Sequence, residues 1–283
     1  VHISILQCQS GRDVAANLAF IESQLRCLEP TQGARLVVLP ECCLLFGGHE
    51  SQQLQYAQSC GTSDLKQTMA NFAKQYQVYL VAGTLPILAK DGRAYSRCYL
   101  FDDQGETLGH YDKMHLFDVD VSDNTKAYRE SDTFCPGHEI CVVETPFGKL
   151  GFAICYDVRF PELFRALRMA GAEIIVLPSA FTQVTGAAHW QVLLQARAIE
   201  TQCFVIAANQ SGQHNQSRRE TWGHSMLVDP WGNILANQQR NIGWLHYEFD
   251  VNAAKAQLKE IRANMPVMQH NRFARPQIQT KKL

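Results

Sequence analysis

Short runs of apolar and β-branched residues recur along the chain. They are Ile3–Leu6, Leu36–Leu39, Val78–Ala82, Cys98–Phe101, Leu150–Ile154, Ile174–Leu177, Phe204–Ala208 and Ser225–Val228. Each reads as a short strand. Longer segments between them repeat their apolar positions at a helical period. In Val14–Leu28 these positions are Val14, Leu18, Phe20, Ile21, Leu25 and Leu28, and Thr62–Tyr76 reads similarly. Glu162–Ala170 follows Pro161, which suits a first helical turn, and Gly171 stands where a C-cap would. His189–Thr201 is a further predicted helix. Strands alternating with helices predict α/β layers. Towards the C-terminus the pattern turns to strands joined by turns such as Asp229-Pro-Trp-Gly-Asn233. No internal repeat or Pro/Ser linker divides the chain, so one domain is expected over 1–263. The polar tail over 264–283, with Pro266 and Pro276, shows no core face and is expected to be disordered or packed on a partner subunit.

Composition narrows the function. The 283 residues are 46% hydrophobic and 19% charged, and the net charge is −1, so no global field recruits nucleic acid or a membrane. The basic pairs Arg218-Arg219 and Lys281-Lys282 read as solvated surface or tail. No run approaches the roughly 20 apolar residues of a membrane span. The first residues, Val1-His-Ile-Ser-Ile-Leu6, start as a strand without the features of a signal peptide. The ten cysteines are irregularly spaced with no C-x-x-C, which predicts free thiols in a reducing, cytoplasmic setting. Cys135 and Cys141 flank His138 and Glu139 without a common zinc spacing, so neither a metal nor another cofactor is expected.

Three residues carry candidate chemistry. Cys155 ends the run Leu150–Ile154 just before Tyr-Asp-Val-Arg-Phe-Pro161, near a tight strand-to-helix turn. Such a turn exposes a side chain and aims backbone N–H groups at a ligand. Glu41 directly follows Leu36-Val-Val-Leu-Pro40, and Lys113 lies in His110-Tyr-Asp-Lys-Met-His-Leu-Phe117 after another strand-like segment. Each alone has a plain structural reading: a small core thiol, a strand terminator, a surface lysine. Together they form a set for acyl transfer at an amide or nitrile. Glu41 would take the thiol proton and Cys155 would attack the carbonyl carbon. The Lys113 ammonium and the Tyr156 N–H would stabilise the oxyanion.

The segments Leu39-Pro-Glu41, Tyr111–Phe117 and Ile154–Glu162 resemble the three catalytic motifs of the nitrilase superfamily, in that family's order. The resemblance extends from Val1 to about His270. Further segments, among them His115–Val121, Tyr128–Asp132, Pro178–Gly186, His189–Cys203 and Gly223–Gly232, are similar to the Nit branch, the deaminated glutathione amidases. This resemblance implies an αββα sandwich whose subunits pair into an αββα–αββα body. Arg159–Ala170 and the C-terminal tail are then interface candidates. It implies that Glu130 positions the lysine, that Arg159 binds a substrate carboxylate, and that Phe181 and Thr185 line the same pocket. Read without it, Glu130 is one acid in a polar loop and Arg159 a surface partner of Glu162. The chain departs from relatives at Ser122–Ala127, at Ala187, and in the pair Cys42-Cys43, for which packing is the expected role. The implied reaction is cleavage of the amide of deaminated glutathione to 2-oxoglutarate and cysteinylglycine. An ω-amidase acting on 2-oxoglutaramate is the nearest alternative, and a non-catalytic scaffold the alternative of another class.

Overall fold

The structure, a computed structural model, describes residues 1–58, 63–121, 127–214 and 219–270. The first half contains β1 (His2–Gln7), α1 (Val14–Arg26), β2 (Arg35–Val38), α2 (Asp64–Tyr76), β3 (Tyr79–Val81), β4 (Leu85–Leu88), β5 (Ala94–Phe101) and β6 (Thr107–Asp112). A hairpin of β7 (Asp118–Asp120) and β8 (Ala127–Arg129) follows. Next come β9 (Val142–Thr145), β10 (Gly148–Phe152), α3 (Pro161–Met169), β11 (Ile174–Ser179), α4 (Gln183–Thr185), α5 (Gln191–Thr201) and β12 (Phe204–Asn209). The chain continues through β13 (Ser211–Gln213), β14 (Glu220–Trp222), β15 (Met226–Val228), β16 (Ile234–Asn237), β17 (Gly243–Glu248) and α6 (Val251–Asn264).

Two mixed sheets result. One has the order β17-β1-β2-β3-β5-β4 with β6 on β5, and the other β16-β15-β12-β11-β10-β9. The centre of each is parallel: β1-β2-β3 in the first and β10-β11-β12 in the second. Strand alternation explains the layers. Ile3, Ile5, Leu36 and Val38 join the core between the sheets, whereas Leu6, Val37 and Leu39 face Ile21 and Leu25 of α1 and Met69 and Phe72 of α2. On the second sheet, Leu163, Phe164 and Leu167 of α3 and Leu194 and Ala198 of α5 provide the covering helices. Sheets covered on both faces need strands without polar interruption, which is why the apolar runs are continuous. The fold is therefore an αββα sandwich.

The expected helices form with small shifts at their ends. Asp13 caps α1 by accepting from the Ala16 N–H, and Ser63 caps α2 by accepting from Lys66. Thr62, the expected start of α2, lies outside the described residues. Pro161 occupies the first turn of α3, and Gly171 beyond it has φ +98°. The helix expected over His189–Thr201 begins at Gln191, preceded by a wide π turn over Gly186–Trp190 that contains Ala187. The C-terminal pattern read as strands alone ends instead in α6, where only Ala254 and Leu258 are buried. A helix with so narrow an apolar stripe leaves little period to read, although Asp250 accepts from Asn252 and Ala253 as an N-cap should. Residues 271–283 of the expected tail, including Lys281-Lys282, lie outside the described residues.

Candidate active site

The three candidate residues sit where strands end. Glu41 follows β2 after Leu39 and Pro40, Lys113 follows β6 directly, and Cys155 follows β10 after Ala153 and Ile154. Ligand sites of α/β sheets gather outside such carboxyl ends. Each loop is fixed by local bonds. The Cys42 N–H donates to Thr84 Oγ1 at 2.9 Å, and Gln210 donates to the Glu41 carbonyl at 3.1 Å. Gly83 packs against this turn with φ +61°, and a Cβ there would lie 2.2 Å from the Pro40 carbonyl oxygen. Before Lys113, Arg97 of β5 grips Asp112 of β6 through two 2.7 Å bonds.

Cys155 begins a one-turn 3₁₀ helix, Cys155–Arg159, with φ +46°. The left-handed backbone turns its side chain out of the strand direction and is held by Asp157, which is fully buried. Asp157 Oδ2 accepts from the Ile154 N–H and the Tyr111 hydroxyl, both at 2.8 Å. Its Oδ1 accepts from the His115 N–H at 3.0 Å and lies 2.7 Å from His115 Nδ1, which must carry the proton because a carboxylate only accepts. One carboxylate thus ties the nucleophile turn to the lysine segment. The sequence reading missed Asp157; an acid two residues beyond the cysteine was its only signal.

The structure brings Glu41, Lys113, Glu130 and Cys155 into one cleft. Lys113 is only 2% exposed, not a surface lysine. Its Nζ lies 2.7 Å from Glu41 Oε1 and 2.9 Å from both Glu130 oxygens. Glu41 Oε2 accepts from the Ala180 N–H at 2.9 Å, just beyond β11. Glu130 also accepts from the Phe117 N–H at 2.6 Å, so it is no loose acid in a polar loop. Burial alone would drive the Lys113 pKa down, but the Glu130 and Glu41 carboxylates outweigh it and hold the ammonium well above its usual value. Burial raises Glu130 to about 7 against the pull of Lys113. Burial also pushes the Cys155 thiol well above its usual value, the Glu41 charge adds to this, and Lys113 opposes it. Burial therefore keeps the resting nucleophile a thiol, with the Glu41 carboxylate lining the same cleft.

Around this array the structure forms a cleft. Tyr156, Phe181 and Thr185 line it. Arg159 stands behind them: its guanidinium lies 5.2 Å over the Phe181 ring and 5.8 Å over Tyr156, within 3.3 Å of His189 Nδ1. It forms no ion pair with Glu162. Cys43 packs in the core as expected, whereas Cys42 lines the cleft. Arg219 corrects the sequence reading. It is not solvated surface but lines the cleft with its side chain 16% exposed. The doublet sits in a polar stretch, and only the β13–β14 hairpin carries Arg219 inward. Arg218 and residues 122–126 of the divergent loop lie outside the described residues. Among the described residues, nine cysteines are free, and no group of three or more His, Cys, Asp and Glu is arranged to hold a metal ion.

Comparison with known proteins gives the family of the chain. The sequence matches the carbon–nitrogen hydrolase family over residues 2–258. It is 44% identical over 274 residues to the deaminated glutathione amidase of Yersinia enterocolitica, covering 96% of this chain and 93% of that protein. Among solved structures it is similar to Saccharomyces cerevisiae Nit3, a member of branch 10 of the nitrilase superfamily, with a TM-score of 0.81 and 31% identity over 96% of this chain and 97% of that one. The C. elegans NitFhit protein superposes with a TM-score of 0.82 and 34% identity over 96% of this chain, which spans 65% of that longer protein.

Proposed function

The chain belongs to the carbon–nitrogen hydrolase family and is such a hydrolase, and from that premise we propose that it is an amidase cleaving deaminated glutathione to 2-oxoglutarate and cysteinylglycine. The observation that carries the chemistry is the buried Glu41–Lys113–Glu130 array lining one cleft with the Cys155 thiol. The substrate follows from the similarity to the Yersinia amidase.

In this reading Glu41 takes the thiol proton as Cys155 Sγ bonds to the amide carbon. Proton transfer coupled to attack suits a thiol that burial keeps protonated at rest. The oxyanion forms against the Lys113 ammonium and the Tyr156 N–H, which lies in the first turn of the 3₁₀ helix. Collapse breaks the C–N bond, and the amine leaves with the proton that Glu41 held. Water then gives a proton to Glu41 and attacks the thioester. Collapse of the second adduct releases 2-oxoglutarate and returns the proton to Cys155. Glu130 keeps Lys113 charged and aimed throughout. Arg159, which lies over the Phe181 and Tyr156 rings, takes the carboxylate of the acyl half.

We further take residues 1–263 as the catalytic domain and 264–283 as a C-terminal tail. Exposed apolar side chains on the outer helices, Met169 of α3 with Val192 and Ile199 of α5, support a homodimer. The free cysteines suit a reducing compartment such as the cytoplasm. No helix among the described residues is long and apolar enough to cross a membrane.

The test is a coupled assay for 2-oxoglutarate release from deaminated glutathione, with wild type and Cys155→Ala side by side. Turnover lost in the variant supports both substrate and nucleophile. Preference for 2-oxoglutaramate, judged by kcat/KM, would move the enzyme to the ω-amidase reading.

A further inference from the structure

We infer that Arg219 and the cleft wall around it form a subsite for the amine half of the substrate, in which Arg219 pairs with a carboxylate carried by the leaving amine. This rests on the amide chemistry proposed for Cys155. The enzyme would accordingly select amides with a carboxylate on each half, the class to which deaminated glutathione belongs and from which simple amides that release ammonia are absent.

Three observations lead there. First, Arg219 lines the same cleft as Cys155 yet stands apart from Arg159. Arg159 lies over Tyr156 and Phe181, whereas Arg219 lies 4.6 Å over the Phe46 ring and 5.0 Å over Tyr128. The two guanidiniums therefore stand over different pairs of rings, and of the two it is Arg219 that lines the cleft. Second, Arg219 is oriented before any ligand arrives. The two ring faces hold its plane, and Glu50 Oε1 takes Nη2 at 2.8 Å. A guanidinium presents five N–H donors in a planar fork, a geometry that suits carboxylate recognition. A mostly buried ion pair is weak grounds for stability alone, which favours a role in recognition. Third, the wall that carries Glu50 is closely built. The 3₁₀ turn Glu50–Gln55 is pinned by Gln53 Nε2 donating to the Leu45 carbonyl at 2.9 Å. Gly48 leaves room for the Gln52 carboxamide, since a Cβ at residue 48 would lie 1.8 Å from Gln52 Oε1. Such a wall holds Arg219 at a fixed place relative to the nucleophile.

The experiment compares deaminated glutathione with its analogue whose C-terminal carboxylate is a carboxamide, using wild type and Arg219→Gln. Wild type should prefer the acid over the carboxamide in kcat/KM on the order of tenfold to a hundredfold, mostly through KM. In Arg219→Gln that preference should collapse towards one. Equal turnover of acid and carboxamide by wild type overturns the inference. So does an Arg219→Gln variant that keeps the wild-type preference, because the carboxylate is then read elsewhere. Should the variant fail to fold, the wild-type comparison together with Arg219→Lys, which keeps the charge but loses the fork, decides the matter by the same ratio. Wild type that cleaves neither compound overturns the substrate reading and this inference with it, an outcome distinct from cleavage without preference.

Discussion

Replacing Asp157 by asparagine tests the reasoning behind the nucleophile turn. The substitution conserves volume, so no cavity forms, and only hydrogen bonding changes. The native carboxylate accepts from the Ile154 and His115 backbone N–H groups, the Tyr111 hydroxyl and the His115 ring. The hydroxyl can rotate and the imidazole can change tautomer, but neither backbone N–H can accept. Whichever way the asparagine amide points, its NH₂ therefore faces one backbone N–H and orphans it. A buried orphan costs about 1–3 kcal/mol, and the surviving bonds lose their charge assistance. A total of roughly 2–4 kcal/mol is expected, which lowers Tm by about 3–7 °C in a domain of this size. Cys155 is held at φ +46° beside the Ile154 bond, so a freed turn lets the sulfur drift, and kcat should fall on the order of tenfold to a hundredfold. Thermal unfolding by circular dichroism and steady-state kinetics on the same preparation read both quantities. A variant that melts within about 1 °C of wild type and keeps kcat within about twofold would refute the assigned role of Asp157.

Further outcomes follow from the buried charges. Lys113→Met leaves the Glu41 and Glu130 carboxylates facing each other without a cation; a loss of about 3–5 kcal/mol is expected, together with activity, and urea unfolding that matched wild type would contradict this. Glu130 is raised to about 7 by burial, so kcat/KM should fall as pH drops through that region and one carboxylate loses its charge; a profile flat down to about pH 5.5 excludes the assignment. His214 is fully buried between the Ser10 carbonyl and Thr221 Oγ1, and burial lowers it from 6.5 to about 4. A depressed histidine contributes stability that is present above pH 6.5 and lost as pH falls through about 4, here on the order of 3 kcal/mol. The stability gap between wild type and His214→Gln should therefore narrow between those values, and a gap independent of pH would count against it.

What was legible in the sequence was local. The apolar runs that became β2, β10, β11 and β12 could be read because a strand buried on both faces leaves no polar gap. Pro161 and Gly171 marked α3 through backbone preferences that need no partner. Cys155, Glu41 and Lys113 were found because each ends such a run inside a recognisable motif. Less was visible where the signal is a shallow stripe, as in α6, or a strand of three residues, as in β7, β8, β13 and β14.

The sequence by itself determined which groups the chain possesses and which elements carry them. Only the tertiary structure decided which groups meet. Lys113 and Glu41 are 72 residues apart and touch because β2 and β6 end on the same side of one sheet. Glu130, unremarkable in a polar loop, becomes the second carboxylate on Lys113, and Arg219 leaves a polar stretch to line the cleft. The physical reason is that burial and charge pairing depend on through-space neighbours. A polar side chain has the same sequence signature whether it faces water or a buried ammonium, and only packing removes the water.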